Sequence, residues 1–201
     1  MSQTHVGVRK AIAQAFNCAY FKPNLKVFEV SEYKHDAIIN KLKQRLEKNY
    51  KGIKCIDCNN EKNKGSSPCM VEGEGVRGIM DLLCLYQDKV LIFEIKSTEI
   101  SNMKIHDILQ LALYVYLYSN SYKVALDNIR AFLVYSYRSP EEADVYIIEL
   151  GNELKKSIIN FVKSFVSSRE QLKDRNEGFY VVSSLCDICV NSACPFKASV
   201  W

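Results

Sequence analysis

The chain has 201 residues, 48% of them hydrophobic and 25% charged, with a formal net charge of +4. That is enough to bury one full core. The absence of repeats, low-complexity tracts and long apolar runs excludes repeat, disordered-tail and membrane-spanning classes. The polar start Met1-Ser2-Gln3-Thr4-His5 has no apolar signal segment, so a cytoplasmic location and reduced thiols are expected.

In chain order, Val6 to Tyr20 reads as a first helix. Ser31 to about Asn49 reads as a second, amphipathic helix that Ser31 could cap, with His35 near its start. A helix histidine taken alone is more often surface or core than ligand. Lys41, Lys43, Arg45, Lys48, Lys51 and Lys54 crowd just after it. Such a run is usually a solvated face, and beside a metal–carboxylate centre it becomes a phosphate track. Residues Lys51 to Gly75 form a polar insertion in which Asn59 to Pro68 reads as a mobile loop. Its Cys55, Cys58 and Cys69 are open to three readings: a small zinc knuckle, one metal ligand, or free thiols.

The next two predicted strands, Val76 to Tyr86 and Val90 to Ser97, carry the most informative feature of the chain. Asp81, Glu94 and Lys96 stand inside apolar sequence. Buried unpaired charges are costly, so the economical reading is a divalent cation held by both carboxylates with the lysine beside it. Strand alternation puts Glu94 and Lys96 on one face and Phe93 and Ile95 on the other. The turn-like Tyr86-Gln87-Asp88-Lys89 folds Asp81, thirteen residues earlier, back beside Glu94. Hard carboxylate oxygens suit Mg²⁺ or Mn²⁺, which polarises a phosphoryl oxygen and lowers the pKa of bound water. Lys96 would orient that water or stabilise developing negative charge. The bland alternative is a Glu94–Lys96 ion pair with Asp81 capping a turn. Cys84 alternates with apolar neighbours and reads as a buried core thiol.

Beyond these strands, Asp107 to Tyr116 reads as a helix that puts Gln110 and Tyr114 on one face. Tyr116 and Tyr118 read as helix packing. Ile129 to Tyr137 and Asp144 to Leu150 read as two strands, and Asn152 to Leu172 as a helix with apolar residues at helical spacing. Cys186, Cys189 and Cys194 then lie too close together to be unrelated. A metal or iron–sulfur centre is preferred, 4Fe–4S first, with 2Fe–2S and zinc open. Cys18 is the candidate fourth ligand, ahead of the insertion cysteines. The sum is one α/β domain over 1–201: a mixed central sheet flanked by helices, with a cysteine-bound appendage.

Asp81, thirteen residues and Glu94-Ile95-Lys96 resemble the PD-(D/E)xK nuclease superfamily. Gln110 and Tyr114 are similar to the Gln-x-x-x-Tyr motif of its RecB-like branch, whose motif helix touches the active site and the DNA. In that branch an early-helix histidine ligates the metal, and His35 matches by order and context. Cys18 together with the C-terminal trio resembles the CRISPR-associated exonuclease of the Cas-four type and the iron–sulfur nuclease domain of AddB helicase-nucleases. The resemblance runs from Cys18 to Pro195 and leaves the 51–75 insertion unexplained. It implies a RecB-like core and Mg²⁺- or Mn²⁺-dependent cleavage of DNA, as single strands or duplex ends, in CRISPR spacer acquisition or in recombination and repair. It also implies an iron–sulfur cluster stapling the chain ends, and it is compatible with CRISPR adaptation proteins as partners and with a homo-oligomer. Tyr20 and Phe21, beside Cys18, are placed to wedge or stack on a strand. Two alternatives stand beside it. One is a non-catalytic iron–sulfur DNA-binding subunit. The other is a Holliday-junction resolvase-like endonuclease, which needs neither the Gln-x-x-x-Tyr helix nor the cysteines.

Overall fold

The computed structural model describes residues 6–9, 11–12, 25–60, 63, 66–99, 103, 105–136, 145–160, 163 and 192. Its strands are β1 (Val6–Gly7), β2 (Lys54–Asp57), β3 (Met70–Gly73), β4 (Val76–Ile79), β5 (Leu82–Tyr86), β6 (Lys89–Glu99), β7 (Ile129–Ser136) and β8 (Val145–Leu150). The helices are α1 (Leu25–Asn49), α2 (Ile105–Tyr122) and α3 (152–160).

The run Val90-Leu91-Ile92-Phe93 is apolar at every position, which suits a strand covered on both faces. β6 is indeed the centre of a five-stranded sheet in the order β2-β5-β6-β7-β8. It runs parallel to β7, as the crossover through α2 requires, and antiparallel to β5. Val90 and Ile92 join Leu109, Leu113 and Leu117 of α2 in one core. Leu91, Phe93 and Ile95 join Ile38, Ile39 and Leu42 of α1 in the other, where Phe93 stacks on Phe132 at 4.7 Å. The expected mixed α/β sheet between helices is therefore present. A second, three-stranded sheet in the order β1-β4-β3 lies beside it.

Four expectations change in detail. The predicted strand over 76–86 is two strands in different sheets, broken at Met80-Asp81 because the Asp81 carboxylate and carbonyl are engaged by Ile95 N–H and Cys58 N–H. α1 begins at Leu25, six residues before Ser31, so Ser31 is interior and not the cap. The segment predicted as a helix over 6–20 opens instead with β1, paired to Val76 and Arg77, before helical residues 8–9 and 11–12. The polar insertion over 51–75, for which no strand was expected, contains β2, paired with β5, and β3, paired with β4, on either side of the 59–68 segment.

The insertion cysteines are not ligands. Cys55 and Cys84 face each other across the β2–β5 ladder and are bonded, and Cys58 is bonded to Cys69. The first bridge belongs to the α1-side core and the second to the α2-side core, so Cys55, Cys58 and Cys69 do not form one zinc knuckle. The expected reduced thiols and the expected free Cys84 are thereby corrected. Sequence spacing does not disclose a strand register that places two cysteines opposite one another. Cys18, Cys186, Cys189 and Cys194, with Tyr20 and Phe21, lie outside the described residues. Among the described residues no helix is long and apolar enough to cross a membrane.

Lys155 is fully buried on α3, an arrangement tolerated only with complete pairing. Its Nζ donates to Leu126 O at 2.8 Å, to Asn152 Oδ1 at 2.9 Å and to Ile129 O, tying α3 to the start of β7. Burial pushes its pKa down.

Peptide mapping without reduction is expected to recover Cys55–Cys84 and Cys58–Cys69. With sequence separations of 29 and 11, each bridge is expected to stabilise the fold by about 3 kcal/mol. Full alkylation of all four thiols in unreduced native protein would refute the pairing. A second expectation concerns Gly78, where an added Cβ would lie 2.5 Å from Val8 Cγ2 and 2.6 Å from Tyr114 Cε1. Gly78→Ala should cost about 1–3 kcal/mol in urea unfolding through overpacking, and an unchanged midpoint would contradict that packing.

Candidate active site

Register explains how the two carboxylates meet. Leu82 pairs with Phe93, so Asp81, one residue before the ladder, stands opposite Glu94. Both are buried, at 7% and 1% exposure. Asp81 is fixed by the Ile95 N–H, which donates to Oδ2 at 2.7 Å, and by the Asn59 amide, which donates to Oδ1 at 3.3 Å. Glu94 Oε1 accepts from Lys96 Nζ at 2.7 Å. Among the described residues, Glu94 Oε2 is the buried side-chain oxygen left without a hydrogen-bond partner.

His35, in the third turn of α1, reaches the same place. Its Nε2–H donates to Ile95 O at 2.9 Å and lies 3.3 Å from Asp81 Oδ2. Asn59 Nδ2 lies 3.4 Å from His35 Nδ1, an arrangement that suits a ring protonated on Nε2 alone. Burial opposes a second proton, but Asp81 outweighs it and pushes the imidazole up to about 9, so double protonation competes with the Asn59 contact. For Asp81, burial is likewise outweighed by His35 and the Ile95 N–H, which hold the carboxyl well below its usual range. Glu94 moves the other way. Burial and the neighbouring Asp81 push it up against the pull of Lys96.

Gln110 and Tyr114 lie on the face of α2 turned to β6, both buried. Gln110 Oε1 accepts from Lys96 Nζ at 2.8 Å. Tyr114 lies one turn further along the same helix face, and burial with the charges of Glu94 and Asp81 raises its hydroxyl pKa strongly. The structure thus brings together His35, Asp81, Glu94, Lys96, Gln110 and Tyr114 from four separate stretches of chain. Four further residues join them. Asn59 comes from the insertion. Asp107 lies 3.3 Å from Lys96 Nζ through Oδ1 and accepts from Tyr135 OH at 2.5 Å through Oδ2. For Arg9, desolvation opposes the charge, yet Glu94, Asp81, Tyr114 and Asp107 together raise its pKa. Asp107 was findable, since it lies one turn before Gln110 on the same helix face. Tyr135 in an apolar strand, Asn59 in a loop and Arg9 in a short helix carry no such signal.

The donor set suits a hard divalent cation in kind: two carboxylates, an imidazole and the Ile95 carbonyl. Among the described residues, however, no three histidine, cysteine or acidic side chains already stand as a ready-made cation cluster. The reason is visible in the contacts. The His35 N–H lies between Asp81 Oδ2 and Ile95 O and engages lone pairs that those oxygens would otherwise offer to a cation. The partnerless Glu94 Oε2 is the atom such a cation would satisfy.

No protein-family model matches this sequence, and no curated protein matches it significantly. Among solved structures, one described as "Crystal structure of SSO0001" is similar at 16% identity and a TM-score of 0.47, over 98% of this chain and 89% of that one.

Proposed function

We propose that this protein is a metal-dependent phosphodiester hydrolase acting on DNA, with Asp81, Glu94 and His35 as ligands of Mg²⁺ or Mn²⁺. The observation that carries the reading is Glu94 Oε2, a fully buried carboxylate oxygen with no partner, next to a second buried carboxylate. Leaving such an oxygen unsatisfied costs stability, so its retention asks for a cation. When bound, the ion would polarise a phosphoryl oxygen and acidify a bound water. The protein's own residues do the rest. Asp81 is oriented by the Ile95 N–H and Asn59, and Lys96 is held within reach of the reacting phosphate to stabilise negative charge. Gln110 accepts from the Lys96 ammonium, and Tyr114 is buried one turn further along the same helix. Lys41, Arg45, Lys48, Lys51 and Lys54 are exposed along the C-terminal part of α1, the turn after it and the first residue of β2, a surface suited to a phosphate backbone.

The resemblance to RecB-like nucleases of the Cas-four type supports the same reading, with DNA single strands or duplex ends as substrate. It extends it to an iron–sulfur cluster on Cys18, Cys186, Cys189 and Cys194. With Cys55, Cys58 and Cys69 engaged in bridges, Cys18 is the fourth ligand this proposal retains.

Asp81→Asn and Glu94→Gln are near-isosteric and should abolish Mg²⁺- or Mn²⁺-dependent cleavage of labelled DNA while the far-ultraviolet circular dichroism is unchanged. Wild-type rates in either variant would sink the assignment. Lys96→Ala should lower kcat by about 100-fold or more, with metal binding by calorimetry retained. Weakened metal binding at normal kcat would make Lys96 a support for the ligands instead. For the cluster, protein purified without oxygen should be brown, and Cys18→Ser or Cys189→Ser should bleach it. Stoichiometric zinc in a colourless protein would replace the cluster with a zinc staple.

A further inference from the structure

Lys96 is the most heavily acceptor-supplied side chain of the centre. An ammonium has three N–H donors. Lys96 meets Glu94 Oε1 at 2.7 Å, Gln110 Oε1 at 2.8 Å and Asp107 Oδ1 at 3.3 Å. Two of these acceptors are already accounted for by the proposed chemistry, and the third is not. Asp107 is itself fixed from the far side, because Tyr135 OH donates to its Oδ2 at 2.5 Å. Tyr135 is fully buried on β7 and is the cross-strand partner of Lys96 in the β6–β7 ladder. The phenol, the carboxylate and the ammonium therefore form a closed path from β7 to α2 and back to β6.

From this geometry we infer that Asp107 and Tyr135 are positioning residues for Lys96, an inference that rests on the hydrolase reading above. Glu94 has two demands on it, since Oε1 holds Lys96 while Oε2 is the atom left for a cation. A bound cation draws electron density from that carboxylate and weakens Oε1 as an acceptor. The ammonium would then need a second anionic partner to stay where it is, and Asp107 is that partner. Gln110, being neutral, holds direction but supplies no countercharge. Tyr135 restrains Asp107: the phenol donates to Oδ2 while Oδ1 lies 3.3 Å from Lys96 Nζ. Small displacements of a group acting on developing charge are expensive in rate, so this support matters most to kcat.

The test uses the full chain with Mg²⁺ and a labelled DNA substrate. Asp107→Asn should lower kcat on the order of 10-fold to 100-fold, and Tyr135→Phe by about 3-fold to 10-fold, with the Mg²⁺ concentration for half-maximal activity unchanged. In a Lys96→Ala background Asp107→Asn should cost less than about 2-fold more, because residues that act through one group are not additive. Equal losses in both backgrounds would show a merely structural role and overturn the inference. Recovery of Asp107→Asn by raised Mg²⁺ would make Asp107 a metal ligand and overturn it as well. A readout independent of turnover separates this from the hydrolase reading: reductive methylation of Lys96, followed by mass spectrometry, should be faster in Asp107→Asn than in wild type by about 10-fold. Unchanged labelling would overturn the positioning role even if the enzyme is active. Faster labelling in a protein that cleaves nothing would uphold the positioning and reject the hydrolase.

Discussion

The juxtaposition of Asp81 and Glu94 is the constraint on which the rest of this structure depends. Two carboxylates buried side by side repel, and neither can be left in a low-dielectric interior without compensation. The fold brings a proton donor and positive charge to them from separate directions: the His35 N–H from α1 on one side of the sheet, the Lys96 ammonium from β6 itself, and the Arg9 guanidinium from the N-terminal segment. A sheet covered by helices on both faces is what makes those approaches available together. Among the described residues, compensation is incomplete at Glu94 Oε2, and that incompleteness sets this cluster apart from a well-paired core.

How the Asp81 turn is held shows a second economy. Cys58 N–H donates to Asp81 O, and Met80 N–H donates to Cys69 O. The two ends of the Cys58–Cys69 bridge thus grip the backbone on either side of the Met80–Asp81 bond. Asn59, next along the chain, places its amide against both Asp81 and His35. The insertion is therefore part of the wall of the centre, even though its polar composition resembles that of an ordinary surface loop.

Much of this was legible in the sequence, and the boundary of what was legible has a physical origin. Charges within apolar strands identify themselves, because local hydropathy and strand alternation set the face on which they lie; hence Asp81, Glu94 and Lys96 could be brought together from spacing alone. Gln110 and Tyr114 followed from helical periodicity. What escaped was information carried by register between distant segments. The opposition of Cys55 to Cys84, the placement of Tyr135 beside Lys96, and the reach of Asn59 to His35 each depend on which residue of one strand or loop faces which of another. The split of the 76–86 segment escaped for a related reason. Its apolar pattern continues through Met80, while the break is imposed by hydrogen bonds to Asp81 from residues elsewhere in the chain.

The two buried lysines make the distinction between structural and chemical pairing concrete. Lys155 donates to three acceptors, the number an ammonium can use, and Lys96 has three partners, Glu94 and Gln110 by hydrogen bond and Asp107 by ion pair. Those of Lys155 are two backbone carbonyls and an amide oxygen, all neutral and set by the fold, so the ammonium is immobilised and burial presses its pKa down. Those of Lys96 include two carboxylates, of which one has a second oxygen with no partner. Carboxylate side chains can turn between an ammonium and a metal ion, whereas the backbone carbonyls of Leu126 and Ile129 are fixed by the 3₁₀ turn and the strand to which they belong. An ammonium fixed only by immobile neutral acceptors has little left to do beyond holding elements together. One held by carboxylates that can be re-engaged has somewhere for its charge to act, and that difference in acceptors, more than burial itself, separates Lys96 from Lys155.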